Sequence, residues 1–239
     1  MQLRPARRYA RSQDTPDQCL PGRHSWARTD PTARLWARRV LRARQCGAGP
    51  VMHGVRSSRR AAITIRAYLG ITPAVSASAY VDESAMLIGD VTVDTDSSVW
   101  PLCVIRGDVN RIRIGARTNI QDGSIIHVTH AHAALPVGNA TIVGNEVTVG
   151  HQAILHGCMI EDRCLIGMGS VVMDGALIRS RVLLGARSLV PPGRELEGGY
   201  LWLGSPVRRV RPLTEPELAW IDYSAAHYVQ LKDNYGPRR

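Results

Sequence analysis

The chain has 239 residues, 44% of them hydrophobic, with 22 Gly and no Phe; many short Val/Ile/Leu strands suit that mixture better than a few large helices. Its +10 charge sits at one end: residues 1–60 hold fourteen Arg against three Asp, a balance of +11, so the remainder sums to −1 and offers no folded basic face for nucleic acid. Five cysteines without a C-x-x-C pair argue against a disulfide framework and fit a reducing, cytoplasmic setting, and the lack of any run of about 18 apolar residues excludes a transmembrane helix.

Residues 1–62 are Arg-rich, acid-poor and broken by Pro and Gly, which predicts a disordered extension with one helical stretch at most, "ARLWARRVLRAR" (residues 33–44). The plainest reading is an upstream extension from a start codon called too early, with Met52 nearer the true beginning; an organellar transit peptide and a nucleic-acid-binding arm are the competing readings. A single Lys, Lys232, against 29 Arg is the bias of GC-rich coding DNA and suggests a bacterial source.

From Val81 an aliphatic residue recurs every six positions: Val81, Leu87, Val93, Val99 and Ile105, then Ile114, Ile120 and Ile126, then Val143, Val149 and Leu155, then Ile160, Ile166, Val172, Ile178, Leu184 and Val190. Neither a helix nor a single long strand has that period. A triangular coil does: each hexapeptide is a short strand and a corner, one aliphatic side chain points to the axis, and a Gly, Asn or Asp absorbs the turn. About three hexapeptides make a rung, and stacked rungs bury an aliphatic column too narrow for Phe. This predicts an all-β solenoid over residues 63–195. The register slips around "RGDVN" (residues 106–110) and across "THAHAALPVGNA" (residues 129–140), and such excursions are where solenoids place function.

Residues 196–239 form a C-terminal segment in which 214–235 reads as an α-helix. Thr214 and Glu217 make a capping box and Pro216 suits the first turn. Leu218, Ile221, Ala225, Tyr228 and Leu231 provide a face to pack against the coil.

Within "VGHQAILHGC" (residues 149–158) two histidines stand five apart, a spacing that suits neither one helix face nor one strand face. His127 follows Ile126 by one and His156 follows Leu155 by one, so they share an outward phase; they stack if the second excursion adds no rung face, while the arithmetic also permits different faces. His151 follows Val149 by two and emerges elsewhere, so meeting the others requires a second subunit.

The run "VIRGDVN…IGARTNIQDGSIIHVTH…VGHQAILHGC…IGMGSVVMDGA…GSP" resembles the γ-class carbonic anhydrases and their bacterial relatives, over about residues 63–235. The resemblance implies a left-handed parallel β-helix assembled as a homotrimer. It implies zinc, with iron or cobalt as alternatives, held at each subunit interface by His127 and His156 of one chain and His151 of the next. Three imidazoles and a water make an open catalytic site, whose zinc-bound hydroxide hydrates carbon dioxide reversibly. Arg106 and Asp108 resemble the family's interface ion pair, Gln121 and Asp122 match residues beside the metal, and Tyr223 is a looser match for a phenol reaching a neighbouring site. Their bland alternatives are a surface salt bridge, a hexapeptide corner and a packed tyrosine. Cys158 is expected to pack, and His130 and His132 to be solvated.

Two departures stand out. The best-studied type carries Glu directly after "RGD", where this chain has Val109, and a longer acidic loop where "AHAALPVG" has no carboxylate. Fast turnover then requires another proton route, with His130 and His132 as the available groups. The resemblance accordingly leaves a zinc-dependent acyl-CoA thioesterase, a metal-free hexapeptide acyltransferase and a non-catalytic assembly subunit as alternatives, with a small-molecule substrate and no nucleic-acid or membrane partner.

Overall fold

The structure is a computed structural model that describes residues 64–235; the expected N-terminal extension, with its helical stretch, lies outside the described residues. The chain winds as a left-handed parallel β-helix closed by one C-terminal helix, α1 (Glu215–Tyr235).

Strand register assigns the hexapeptides to three faces. Leu87, Ile105, Ile126, Leu155, Val172 and Val190 stack on the first. Val93, Ile114, Val143, Ile160, Ile178 and Leu196 stack on the second. Val99, Ile120, Val149, Ile166, Leu184 and Trp202 stack on the third. All of these point inward and are 4% exposed or less. Val81, at the open end, is only partly buried. Each aliphatic side chain taken fully from water contributes about 1.5–3 kcal/mol, so the axial column is the main stabilising element.

The register slips once more than the sequence suggested. Besides the long steps from Ile105 to Ile114 and from Ile126 to Val143, the step from Leu155 to Ile160 is one residue short. All three irregular steps fall at the same corner, between the first and second faces. The strands Met86–Val93 and Val104–Ile114 run unbroken round that corner and join the two faces into one sheet, whereas the third face forms its own sheet.

Turn chemistry differs from expectation. The left-handed residue at a regular corner comes three positions after the inward aliphatic, and it is often not Gly: Asp96, Leu102, Arg117, Glu146, Gln152, Arg163, Arg181 and Arg187 all have φ between 56° and 61°. The Gly directly after the aliphatic does not make the turn. A Cβ on Gly167 would come within 2.5 Å of Ala186 N, and one on Gly115 within 2.6 Å of the Gly144 carbonyl carbon, so these positions exclude side chains because the next rung lies against them. Hydroxyls inside the corners tie the rungs: Ser97 Oγ donates to Gly115 O (2.6 Å), Thr118 Oγ1 to Gly144 O (2.7 Å) and Ser170 Oγ to Gly185 O (3.1 Å). Cys103, Cys158 and Cys164 fill buried places, and burial pushes the Cys158 and Cys164 thiols up to about 12, which keeps them unreactive as nucleophiles.

At the C-terminal end, Tyr200–Gly204 pairs antiparallel with Val207–Pro212. Helix α1 then packs over the third face, burying Ile221, Ser224 and Ala225. Thr214 N donates to Glu217 Oε2 (2.9 Å), one half of the expected capping box; the Thr214 hydroxyl donates to the same oxygen (2.9 Å) instead of accepting from Glu217 N, and Arg211 grips both carboxylate oxygens at 2.8 Å. Trp100 anchors the far end of the helix beneath Tyr228 and Tyr235. No helix among the described residues is long and apolar enough to cross a membrane.

Candidate metal centre at the irregular corner

Arg106, His127 and His156 each stand one position past an inward residue of the first face, immediately before the irregular corner. His127 and His156 are register partners on adjacent rungs. The second excursion therefore adds no rung face: it folds back through a Thr129–Asn139 bridge and returns the coil to register.

His127 Nδ1 and His156 Nε2 face each other at 3.1 Å. Each ring gives its other nitrogen to a carboxylate: His127 Nε2 lies 3.0 Å from Asp108 Oδ1, and His156 Nδ1 lies 2.9 Å from Asp174 Oδ2. Asp108 also accepts from Arg106, and Asp174 from the Thr129 hydroxyl. Burial alone would raise both carboxyls. For Asp108 the bonds from Arg106 and His127 outweigh it, and for Asp174 those from Thr129 and His156 do, so both lie below the ordinary aspartate value.

Ionised carboxylates only accept, so the ring nitrogens turned to them carry N–H and the two facing nitrogens present lone pairs. Protonating His127 is disfavoured chiefly by burial, with the Arg106 charge adding to it and Asp108 opposing. Two acceptor nitrogens this close suit a shared cation. Ligand nitrogens held tetrahedrally at about 2.0–2.1 Å from zinc lie roughly 3.3–3.4 Å apart, close to the separation found. The pair and its carboxylates thus fit a divalent ion.

His151 lies at a different edge, the corner from the third to the first face. Its Nδ1 is 2.8 Å from Asp122 Oδ2, with both side chains nearly half exposed, so Nε2 is the nitrogen left to reach outward. All three histidines therefore share one arrangement, a ring nitrogen pinned by an aspartate, which is how metal-ligating imidazoles are usually oriented. Among the described residues, no three His, Cys, Asp or Glu side chains of the single chain gather around one point.

Arg106 and Asp108 form an ion pair within this chain. Gln121 is buried beside the helix: its Nε2 donates to Asn119 Oδ1 (3.0 Å), and Asn119 reaches Thr148, which contacts Ser224 of α1. Tyr223 is exposed on α1, its ring 5.4 Å from Trp220 and 5.7 Å from His227, so it is neither packed in the core nor next to the histidine pair of its own chain. His130 and His132 are exposed with rings 5.6 Å apart, and Cys158 is packed in the coil. Sequence reasoning missed Asp174 and Thr129. The signal available for Asp174 was its "MDG" corner, two past Val172, the same place that Asp122 holds after Ile120.

No protein-family model matches the chain. It is 55% identical over 171 residues to Protein YrdA of Escherichia coli, covering 72% of this chain and 93% of that protein. It is 43% identical over 159 residues to the mitochondrial Gamma carbonic anhydrase 1 of Arabidopsis thaliana, covering 66% of this chain and 58% of the relative. Among solved structures, a hexapeptide transferase family protein from Anaplasma phagocytophilum superposes with a TM-score of 0.67 at 36% identity, covering 72% of this chain and 98% of that one.

Proposed function

The chain belongs to the γ-class carbonic anhydrase family of hexapeptide-repeat proteins, and from that premise we propose that it is a zinc-dependent enzyme interconverting carbon dioxide and bicarbonate at sites shared between the subunits of a homotrimer. The observation that carries this reading is the in-register His127–His156 pair, whose facing nitrogens lie 3.1 Å apart while their opposite nitrogens are taken by Asp108 and Asp174. His151 of a neighbouring subunit completes the ligand set. Bound there, a divalent ion supplies Lewis acidity that makes water a nucleophile at neutral pH.

Asp108, held by Arg106, fixes the His127 ring, Asp122 fixes His151, and the outer side of the Arg106 guanidinium is open to meet an anionic product. Val104, Ile125 and Ile154, each more than a third exposed, form an aliphatic stripe two positions before this column, a surface suited to a second copy. Gln121, held by Asn119, presents an amide for a substrate oxygen arriving from an adjoining subunit.

Val109, exposed where a proton-relaying carboxylate would serve hydration, favours one alternative substrate for the same centre: an acyl-CoA thioester. A metal-free acyltransferase base fits poorly, because the two free ring nitrogens of the pair face each other at 3.1 Å instead of opening toward a substrate.

Metal analysis of the purified protein, with carbon dioxide hydration and acyl-CoA hydrolysis assayed side by side, tests the reading. About one zinc per subunit with hydration activity supports it; thioester hydrolysis alone moves the substrate; a metal-free protein overturns it. Mixed trimers of His127→Ala and His151→Ala chains should recover part of the metal that neither variant binds alone.

A further inference from the structure

We propose that Asp174, clamped by Thr129, is a positioning residue that sets the tautomer of His156 and aims its Nε2 lone pair at the point it shares with His127. This rests on the reading of these histidines as ligands. His156 is a surface ring, 37% exposed, that packing alone does not confine to one tautomer. Which nitrogen keeps the proton is decided by the partner of the other, and here that partner is Asp174 Oδ2 at 2.9 Å from Nδ1.

Three irregular segments converge to make this contact. The His156 corner is the short step, with one residue fewer between Leu155 and Ile160 than at a regular corner. Gly157 then leaves room that no other residue would: a Cβ there would lie 2.6 Å from Asp174 Oδ1 and 2.9 Å from Asn139 Cβ, the latter in the excursion. Thr129, at the root of the same excursion, donates its hydroxyl to Asp174 Oδ1 and so turns Oδ2 toward the ring. The excursion thus acts as a clamp on a carboxylate beside the centre.

The variants are Asp174→Asn and Thr129→Val in the full chain. In Asp174→Asn, with Oδ1 still accepting from Thr129, the amide nitrogen replaces the acceptor facing Nδ1, and the His156 proton moves to Nε2. Ring 15N spectra of the metal-free proteins should show Nδ1–H in the wild type and its loss in the variant. Zinc affinity, measured by chelator competition, should fall about 10–100-fold, with oligomeric state and circular dichroism unchanged. Thr129→Val leaves the carboxylate but frees it to rotate, so a loss of a few-fold is expected, and this variant carries the test if Asp174→Asn does not fold. Wild-type zinc binding with unchanged tautomer and affinity in the variants overturns this inference alone. A wild type that binds no zinc overturns the parent reading and the inference with it.

Discussion

Two kinds of corner organise this coil, and they differ in what they tolerate. At the corners flanking the third face every step is six residues, the left-handed position recurs at the same offset, and Gly lies against the rung above. At the corner between the first and second faces the steps vary from five to seventeen residues, yet the strands on either side return to register each time. Uniform corners set the shape; the variable one gathers Arg106, Asp108, His127, Thr129, His156 and Asp174. Residues can be added at that corner without moving the axial column, whereas His151 and Asp122 stand at a uniform corner.

The sharpest way to break this contrast is to put a side chain on a packed glycine. Gly167→Ala forces a Cβ within 2.6 Å of the Gly185 and Leu184 backbone, so a loss above about 4 kcal/mol in urea unfolding is expected. Gly193→Ala, at a left-handed corner with nothing within 4 Å, should cost only about 1–2 kcal/mol. Next in size, Leu155→Ala empties a fully buried site on the axis and should cost about 2–5 kcal/mol. Inserting two glycines between His132 and Ala133 should change stability by under about 1 kcal/mol, whereas the same insertion between Arg187 and Ser188 should lower the melting temperature sharply; equal effects would erase the distinction. His127→Ala should abolish metal binding while leaving the circular dichroism spectrum intact.

The smallest expected effect concerns the helix cap. Arg211 and Thr214 hold the Glu217 carboxyl at about 2, well below its ordinary 4.5. A folded value below the unfolded one means that the contribution is complete above about pH 4.5 and fades as pH falls toward 2. Thermal unfolding of Glu217→Gln should therefore differ from the wild type at neutral pH and converge with it in acid.

The periodic part of the fold was legible because every inward position before the terminal Trp202 is Val, Ile or Leu, and sixteen of the seventeen sites read from sequence are fully buried. The short step at His156 was hidden because Leu155 and Ile160 are both aliphatic and the period resumes at once. The role of glycine was misread for a related reason: a residue needed for close approach and one needed for a turn carry the same letter, and only the φ angles separate Gly167 from Gly169. His127 and His156 could be phased but not placed, since stacking depended on how the excursion closes. Asp174 looked like an ordinary Asp-Gly corner until register brought it beside His156.

The reversed strand Val207–Pro212 has a further consequence. A parallel coil ends in open backbone that could template a copy of itself end to end, the route by which solenoids become filaments. On the third face that position is occupied by a strand running the opposite way, ending in proline and bearing exposed Arg208, Arg209 and Arg211. The mismatched polarity and the terminal proline of that strand leave a second coil no parallel edge on this face to extend.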